Sequence, residues 1–166
     1  MTPEAGDGTR VGWGYDAHSL GGDPPLILGG VVLSESVGAI ATSDGDVLAH
    51  AVIDAVLGAC VLADLGEHFP SSDPELVGAD SMNLLRRTSD LAHEAGWQVG
   101  HVDATVVVEG VRIAPHRDQI RAKLAESLGI DVGAVSVKAT TTDGLGFVGR
   151  GEGLAAVAVV TVTALP

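Results

Sequence analysis

Two histidines and one aspartate are the residues of this chain best suited to bind a metal ion. Asp16 and His18 stand two positions apart in a segment that alternates like a strand, so both side chains should point to one face. His50 falls in the first turn of a predicted apolar helix. A lone histidine there would more often be a packed core residue. Together with Asp16 and His18, however, it would give a metal ion three protein ligands and leave a fourth position open. That pattern is typical of catalytic rather than structural zinc.

The helix predicted to carry His50 has clear signals at its start. Gly45 interrupts regular structure, and the carboxylate of Asp46 can accept the free N–H groups of a first helical turn. The residues that follow, Val47 to Ala63, are apolar and rich in alanine, which predicts a largely buried helix. His50 should therefore lie at the start of a core helix, beside a loop that contains two aspartates.

A second polar stretch stands near the C-terminus, where three threonines, residues 140–142, are followed by Asp143. Hydroxyls, backbone N–H groups and a carboxylate at the end of a strand suit a phosphate group with its magnesium ion. Arg150 lies among glycines, where its guanidinium could fork onto a phosphate. The alternative is a tight turn in which Arg150 forms a local ion pair with Glu152. The residues alone leave both interpretations open.

Composition narrows the range of partners. With 166 residues, the chain is long enough for one domain with a proper core. Its formal net charge of -13 argues against nucleic acid as a partner, because phosphate backbones are bound by surfaces rich in lysine and arginine. No apolar run is long enough to span a membrane, no signal peptide is recognisable, and a single cysteine cannot form a disulfide framework. We therefore expect a cytoplasmic protein with no membrane partner.

The coarse pattern predicts strands that interleave with helices. Strands are expected at Arg10–Asp16, Leu26–Leu33 (or a hairpin with a glycine break), Trp97–Glu109, Val135–Ala139 and Leu154–Leu165, and helices at Val47–Ala63, Ser81–Glu94 and Pro115–Leu128. Turns or loops should occupy residues 18–25, 34–41, 64–74 and 140–153. Residues 1–9 are predicted to be a disordered tail, and residues 10–166 a single domain.

This order of elements favours an α+β fold, with a mixed sheet of four or more strands and helices on one face. The last predicted strand, Leu154–Leu165, is almost wholly apolar. A sheet covered by helices on one face should have a wet opposite face. If that face is also apolar, it must be buried against other subunits, so the pattern predicts an oligomer.

Several short motifs, spaced along most of the chain, together point to a known family. They are Asp16-x-His18, Ser43-Asp44-Gly45-Asp46-x-x-x-His50, Asp64-x-Gly66, Phe69-Pro70 with Asp73-Pro74, Lys138-Ala139-Thr140-Thr141-Thr142, and Gly149-Arg150-Gly151-Glu152-Gly153. With these motifs in this order, from about Arg10 to the C-terminus, the chain resembles the 2-C-methyl-D-erythritol 2,4-cyclodiphosphate synthases.

The resemblance implies a metal-dependent lyase of non-mevalonate isoprenoid biosynthesis. The family cyclises 4-diphosphocytidyl-2-C-methyl-D-erythritol 2-phosphate and releases CMP. It also implies a homotrimer, in which three sheets pack around the trimer axis and the active sites lie between neighbouring subunits. Zinc, together with magnesium or manganese bound to the substrate diphosphate, would be the cofactors.

Carried over position by position, the resemblance also implies roles for individual residues. Asp16, His18 and His50 would hold zinc, and Asp143, which replaces a common glutamate, would face magnesium. The implied substrate-binding residues are Asp16, His18, Thr42, Ser43, Asp64, Leu65, Gly66, Phe69, Asp73, Arg112, Thr140, Thr141, Thr142, Asp143, Phe147 and Arg150.

The implied catalytic residues are Thr42 and Thr141, and Thr42 departs from the family pattern. The family usually has a histidine at this position, which helps the residue matching Thr141 to stabilise the transition state. A threonine can still donate one hydrogen bond, but it is shorter and cannot become cationic. Losing an essential donor of this kind can cost ~10²–10³-fold in rate. Ser71 is a second departure, since an aspartate is common there.

Two other functions are compatible with these residues. A metal-dependent nucleotide phosphohydrolase would use the same site with water as the nucleophile and would give open-chain products. A non-catalytic trimeric protein that binds metal or isoprenoid diphosphates would hold zinc and ligand without releasing CMP. The identity of the products separates these three hypotheses.

Overall fold

The first strand is longer than the sequence predicts. In the computed structural model, which describes residues 8–166, it spans Thr9–Gly22. The turn predicted at residues 18–25 is therefore wrong over its first part, because these residues continue the strand. Asp16 and His18 consequently lie within the strand rather than at its end. Of the predicted tail, residues 1–7 lie outside the described part of the chain, and Thr9 already belongs to the strand.

Seven strands in the described residues form two sheets. They are β1 (Thr9–Gly22), β2 (Leu26–Leu28), β3 (Val31–Ser34), β4 (Gly38–Ile40), β5 (Trp97–Val107), β6 (Val135–Thr140) and β7 (Gly153–Ala164). The main sheet has the order β4-β1-β7-β5-β6, in which β5 and β6 are parallel and the other pairs antiparallel. This five-stranded mixed sheet confirms the predicted architecture. β2 and β3 form a hairpin, which was one of the two alternatives for residues 26–33, whereas β4 lies in a segment predicted to be a loop.

Three of the described helices correspond to predicted ones. The helices are α1 (Val47–Cys60), α2 (Leu65–His68), α3 (Ser81–Glu94), α4 (Arg117–Leu128) and α5 (Gly146–Gly149), with 3-10 turns at Pro74–Leu76, Ala114–His116 and Val132–Ala134. α3 has the predicted bounds, but α1 ends before Ala63, at a left-handed Val61 with a φ of 59°. Among the described helices, none combines the length and apolar character that crossing a membrane requires.

Two glycines let α1 lie directly on β1. A Cβ atom at Gly14 would lie 1.9 Å from the carbonyl oxygen of Ala51, and one at Gly12 would lie 1.8 Å from that of Ala55. Only a residue without a side chain permits this approach of helix and strand. Because His50 immediately precedes Ala51, the contact places its side chain over the part of β1 that follows Gly14, where the other two metal-ligand candidates lie.

The two faces of the main sheet differ in what covers them. The face under the helices is the core, where the inward residues of β5 and β7 are fully buried. The opposite face carries exposed aromatic and aliphatic side chains on β1: Val11 is 66% exposed, Trp13 63% and Tyr15 46%. The open face is therefore apolar in part, as the last strand suggested. Burial of this face in an oligomer stays a prediction.

Candidate metal and substrate site

Asp16, His18 and His50 converge on one point, as the sequence predicts. The Nε2 atom of His18 lies 3.1 Å from Nδ1 of His50. The Oδ2 atom of Asp16 lies 3.1 Å from the first of these nitrogens and 3.0 Å from the second. β1 supplies two of the side chains from one face, and the first turn of α1 supplies the third. The three ligand atoms form a nearly equilateral triangle.

The donor set and its spacing fit a tetrahedral metal ion such as zinc. Histidine nitrogen and carboxylate oxygen bind zinc at about 2.0–2.2 Å, and tetrahedral ligands at that distance lie roughly 3.3–3.5 Å apart. The observed separations of 3.0 and 3.1 Å are slightly shorter, so a small outward movement of each ligand accommodates the ion. Three protein ligands leave a fourth position for a substrate oxygen or a water molecule.

The electrostatics of this cluster favour a cation. Burial disfavours the charged form of Asp16, but the hydrogen bonds and charges of His18 and His50 outweigh it and hold the pKa of Asp16 below its usual value. Burial also acts to lower the pKa of His50, yet its hydrogen bond with Asp16 and the nearby carboxylates raise that pKa overall. Positive charge is therefore stabilised where the three groups meet.

The far side of the His50 ring is hydrogen-bonded as well. Its Nε2 atom lies 2.9 Å from the hydroxyl oxygen of Ser81 and 3.2 Å from that of Ser43. Ser81 in turn donates to the carboxylate of Asp44 through both its hydroxyl and its backbone N–H. The imidazole ring is therefore held at both nitrogens.

Asp46 fixes the turn from which His50 projects. Its carboxylate accepts the N–H of Ala49 at 3.0 Å, which confirms the predicted N-cap. It also accepts the N–H groups of Gly29 at 2.9 Å and Gly30 at 2.7 Å, in the turn between β2 and β3. Complete burial disfavours the charged form and raises the pKa of Asp46 to about 6, although these N–H groups act in the opposite direction. One buried carboxylate thus ties the hairpin to the start of α1.

A cavity of about 310 Å³ opens beside the metal-ligand cluster. Thr42 and Ser43, from the loop before α1, border it next to the three ligands, and Thr42 is exposed. The carbonyl of Thr42 accepts the N–H of Gly78 at 2.8 Å, which fixes this loop against the segment that precedes α3. The residues around the cavity are Asp16, His18, Ala41, Thr42, Ser43, His50, Asp54, Leu65, Phe69, Ser71, Leu76 and Leu84.

Asp54 is a cavity residue that sequence reasoning missed. It lies one helical turn after His50 in α1, and its Oδ1 atom accepts the N–H of Leu65 at 2.8 Å. Burial raises the pKa of Asp54. The spacing of four residues places Asp54 and His50 on one helix face, so the sequence did contain a signal for it. Asp54 holds the start of α2 against α1, the helix that carries the candidate ligand His50.

The loop after α1 brings only part of its predicted residues to the cavity. Phe69 is 5% exposed and packs against the guanidinium of Arg87, 4.9 Å from the ring centroid. The carboxylates of Asp64 and Asp73 accept backbone N–H groups two or three residues further on, and so cap short helical turns. Asp64, Gly66 and Asp73 do not belong to the described residues that border the cavity.

The threonine segment, residues 140–143, does not join the metal-ligand cluster of Asp16, His18 and His50 within the chain. Asp16 pairs with Ala156 of β7, Ala156 with Val106 of β5, and Val106 with Ala139 of β6. Thr140 therefore begins three strands away, roughly 14 Å at the usual spacing of strands. The predicted substrate residues that are absent from the described walls of the metal cavity also include Arg112, Thr140, Thr141, Thr142, Asp143, Phe147 and Arg150.

The threonine segment is exposed and is shaped mainly by its own contacts. The hydroxyl of Thr141 donates to Oδ1 of Asp143 at 3.3 Å. Oε1 of Glu109, just beyond β5, accepts the N–H groups of Thr142 at 3.2 Å and Gly144 at 3.3 Å. The family resemblance implies that residues 108–114 and 140–143 form the cytidine pocket, so Glu109 lies in a predicted segment, although no role of its own was predicted for it. It holds the turn in a fixed shape without burying it.

Arg150 forms the local ion pair that the sequence left open. Its guanidinium donates two hydrogen bonds to the carboxylate of Glu152, at 2.9 and 3.0 Å. The side chain of Arg150 is 60% exposed, so it remains accessible to an anion. Phe147 borders a smaller cavity together with His18 and Glu152. This second cavity lies where the end of the threonine segment returns to β7.

Comparison with known proteins gives one family. The sequence model of the YgbB family matches residues 9–163. A 2-C-methyl-D-erythritol 2,4-cyclodiphosphate synthase from Shewanella halifaxensis (strain HAW-EB4) is 52% identical over 151 residues, which cover 91% of this chain and 95% of the relative. The synthase of the same name from Pseudomonas aeruginosa (strain UCBPP-PA14) is 50% identical over 155 residues, which cover 93% of this chain and 99% of the relative.

Solved structures agree with the sequence comparison. IspF from Plasmodium falciparum, in a CDP complex, superposes with a TM-score of 0.84 at 29% identity, over 96% of this chain and 99% of that one. The bifunctional IspDF from Campylobacter jejuni gives a TM-score of 0.93 at 37% identity over 95% of this chain, which spans 43% of that longer protein. Sequence and fold thus confirm the resemblance to the 2-C-methyl-D-erythritol 2,4-cyclodiphosphate synthases, which match nearly the whole chain. The chain belongs to the YgbB family.

Proposed function

We propose that this chain is a metal-dependent lyase that converts 4-diphosphocytidyl-2-C-methyl-D-erythritol 2-phosphate into 2-C-methyl-D-erythritol 2,4-cyclodiphosphate and CMP, in non-mevalonate isoprenoid biosynthesis. The observation that carries the proposal is the convergence of Asp16, His18 and His50 beside a cavity bordered by Thr42 and Ser43. Relatives of nearly equal length that carry this synthase name support it. A cytoplasmic location stays a prediction from the sequence.

The proposed reaction is an internal phosphoryl transfer. An oxygen of the 2-phosphate attacks the β-phosphorus of the diphosphate in line, and the new P–O bond closes the ring. The bond from the β-phosphorus to the bridging oxygen breaks, and CMP leaves with its electron pair. Because no covalent bond to the protein forms, catalysis depends on positioning and on neutralising charge.

Two divalent ions would offset the charge of this substrate. Asp16, His18 and His50 would hold zinc, and Asp143 with the substrate diphosphate would hold magnesium or manganese. When bound, these ions supply the positive charge that makes the β-phosphorus more electrophilic and stabilises the departing CMP.

The remaining tasks fall to hydrogen-bond donors of the chain. The hydroxyls of Thr42 and Ser43 at the edge of the cavity would donate to phosphate oxygens, as would Thr141 from the threonine segment. The fork of Arg150 would bind a further phosphate oxygen. The cytidine would lie against Arg112 and the threonine segment, and the sugar alcohol against residues 64–73.

We further propose that a neighbouring copy in a homotrimer completes each active site. The metal-ligand cluster and the threonine segment lie three strands apart in one chain, which leaves each with half of the required groups. The sheet face opposite the helices bears exposed Val11, Trp13 and Tyr15 on β1. Packing three such faces around an axis would bury this apolar surface and bring the threonine segment of one copy to the metal-ligand cluster of the next.

The experiment that tests the proposed reaction measures CMP release from the diphosphocytidyl substrate with magnesium, with and without a zinc chelator, and identifies the second product. Metal-dependent formation of the cyclic diphosphate supports the proposal. CMP with an open-chain product would identify a phosphohydrolase instead. Zinc and ligand binding without CMP release would identify a binding protein, and Thr42→His would then be the next variant to measure.

A further inference from the structure

The two ring nitrogens of His50 have different partners, and both partners affect which nitrogen carries the ring proton. Its Nδ1 atom lies among the metal ligands, 3.0 Å from Asp16. For Nδ1 to bind a metal, it must offer a lone pair, so the remaining ring proton has to sit on Nε2. Which nitrogen carries that proton is decided by the hydrogen bond on the far side of the ring. That hydrogen bond is to Ser81, whose hydroxyl oxygen lies 2.9 Å from Nε2.

The direction of the Ser81 hydroxyl is set by Asp44. A carboxylate oxygen can only accept, and Oδ1 of Asp44 is the partner of the Ser81 hydroxyl, so the hydroxyl proton points toward Asp44. The same carboxylate also accepts the N–H of Ser81 at 2.9 Å and that of Asp46 at 3.1 Å. With its proton committed, the oxygen of Ser81 offers only lone pairs to His50. Nε2 must therefore be the donor, which leaves Nδ1 free to bind.

We propose that Ser81 and Asp44 are positioning residues that select the metal-binding tautomer of His50 and fix its ring. The inference rests on the proposed metal role of His50 but not on the identity of the substrate. Partners of this kind, behind a metal-ligating histidine, typically change metal affinity by about 10–100-fold when they are removed. A similar loss is expected here, because the ring would be free to rotate and to adopt either tautomer.

Ser43 also faces Nε2 but is less able to set the tautomer. Its hydroxyl oxygen lies at 3.2 Å, and it borders the substrate cavity, where solvent or ligand can reach it. Ser81 is fully buried, so its hydroxyl has no water to exchange partners with. In the low-dielectric interior, the buried chain of hydrogen bonds from Asp44 through Ser81 to His50 should be the stronger constraint.

The backbone holds this chain of hydrogen bonds in place. Ser81 is the first residue of α3, and Asp80 caps that helix by accepting the N–H of Met82. The N–H of Asp44 donates to the carbonyl of Ala79 at 3.0 Å, so the loop before α1 and the start of α3 form one unit. α3 therefore contributes to the proposed metal site although it supplies no ligand.

The test compares Ser81→Ala with Ser127→Ala, a buried serine of α4 whose hydroxyl contacts the sulfur of Met82 at 3.7 Å instead of a histidine. Zinc dissociation constants are measured on metal-free protein by competition with a chromophoric chelator. We expect Ser81→Ala to weaken zinc binding by about 10–100-fold, Ser127→Ala to leave it unchanged, and Ser81→Thr, which keeps the hydroxyl, to retain most of the affinity.

Asp44→Asn tests the direction of the hydrogen bonds. Oδ1 of Asp44 accepts the N–H of Asp46 and the hydroxyl of Ser81, and Oδ2 accepts the N–H of Ser81. In either orientation of the asparagine amide, its NH₂ group would therefore face a backbone N–H that needs an acceptor. If the amide donates to Ser81, the hydroxyl turns toward His50 and favours the wrong tautomer. We therefore expect a loss of zinc affinity at least as large as for Ser81→Ala.

A spectroscopic readout is independent of how well the variants fold. In zinc-loaded wild-type protein, proton and nitrogen NMR should show the Nε2–H of His50 as a hydrogen-bonded proton that exchanges slowly with water. Zinc binding by Ser81→Ala and Asp44→Asn at wild-type strength, or an Nε2–H that exchanges as fast as that of a free imidazole, would overturn the inference. A wild-type protein that binds no zinc would overturn the metal role itself, which is a distinguishable result.

Discussion

The metal-ligand cluster and the region from the threonine segment to Arg150 differ in burial and in how their side chains are held. The side chain of His50 is 8% exposed, and both of its ring nitrogens have partners within 3.1 Å. The side chain of Arg150 is 60% exposed, and its partner is a neighbour in the same short turn. The first region is held by β1, α1, α3 and the hairpin of β2 and β3. The second region runs from the end of the edge strand β6 to the start of the central strand β7 and is mostly exposed.

This contrast indicates which part of the proposed site a single chain can form by itself. A small ion with short bonds needs ligands that are fixed before it arrives, and packing within one chain supplies that order. A large anionic substrate needs a wide, accessible surface, which the exposed threonine segment offers. We infer that the metal half is preorganised by the monomer fold and that the substrate half becomes a site only through assembly.

The largest effect is expected for His50→Ala, which removes one of three ligands from the preorganised half. Zinc binding at this site should be lost, and with it nearly all turnover, because two ligands cannot hold the ion in place. Metal content and CMP release measure both losses. His93→Ala, at the exposed end of α3, is the matched control and should retain zinc and activity. Turnover by His50→Ala protein that contains no zinc would show that the cluster is not the metal site.

Mixing two inactive variants tests whether the two halves come from different copies. His50→Ala damages only the metal half, and Thr141→Ala only the threonine half. If each site is shared between neighbours, coexpression in equal amounts should restore about a quarter of wild-type turnover. In a randomly assembled trimer, half of the sites receive intact metal ligands, and half of those also receive an intact threonine segment. A site formed within one chain would contain a damaged half in every copy. Coexpressed variants that stay inactive would therefore contradict the shared site.

Gly14→Ala should test how far the metal half depends on the approach of α1 to β1. The new methyl group would lie 1.9 Å from the carbonyl oxygen of Ala51, so the helix must move away. We expect a loss of about 3 kcal/mol or more in the free energy of unfolding, measured in urea at fixed protein concentration, together with weaker zinc binding.

Gly58→Ala is the control for this helix. Gly58 also lies in α1, but a methyl group there would meet open space. The substitution should stabilise the protein by about 0.5–1 kcal/mol, because alanine has less conformational freedom to lose in a helix than glycine. Equal effects of the two substitutions would mean that the close approach is unimportant.

A matched pair of carboxylate-to-amide substitutions compares the two regions directly. Asp46→Asn replaces one of the buried oxygens that accept the N–H groups of Ala49, Gly29 and Gly30 with a donor, and should lower the free energy of unfolding by about 1–3 kcal/mol. Asp143→Asn changes an exposed side chain at a left-handed position, where asparagine is also tolerated, and should leave stability within about 0.5 kcal/mol of wild type. Urea unfolding measures both.

Asp46 should also make the stability of the protein depend on pH. Its pKa is about 6 in the folded protein, above the ordinary value of 3.8, so the folded state binds this proton more tightly. The free energy of unfolding should therefore fall as pH rises from 3.8 to about 6. Asp46→Asn lacks this contribution, so its stability relative to wild type should improve over that range. A difference that is constant with pH would show that Asp46 does not titrate there.

Predictions from the sequence were most accurate for features that depend on residues close to one another in the chain. α3 begins and ends at the predicted residues, and the hairpin of β2 and β3 turns at the predicted glycines. Asp46 caps α1 because a carboxylate before an apolar helical run has few other places to form hydrogen bonds. The strand-like spacing of Asp16 and His18 correctly placed both on one face. Each of these features depends on residues within a few positions of one another.

Long-range packing decided the rest. β1 continues beyond Asp16 because β4 and β7 pair with it, and β4 is a strand only through that pairing. Ser81 reaches His50 from a helix 31 residues away, which no local pattern could indicate.

Sequence patterns alone were enough to predict the fold class, the cap of α1 and the three candidate metal ligands. How these candidate ligands are supported, and where the predicted substrate-binding residues lie, follows only from the fold. The threonine segment carries the predicted residue types, but the order β1-β7-β5-β6 separates it from the metal ligands by three strands. Residue types follow from local chemistry, whereas the distance between two segments follows from how strands that are remote in sequence pair.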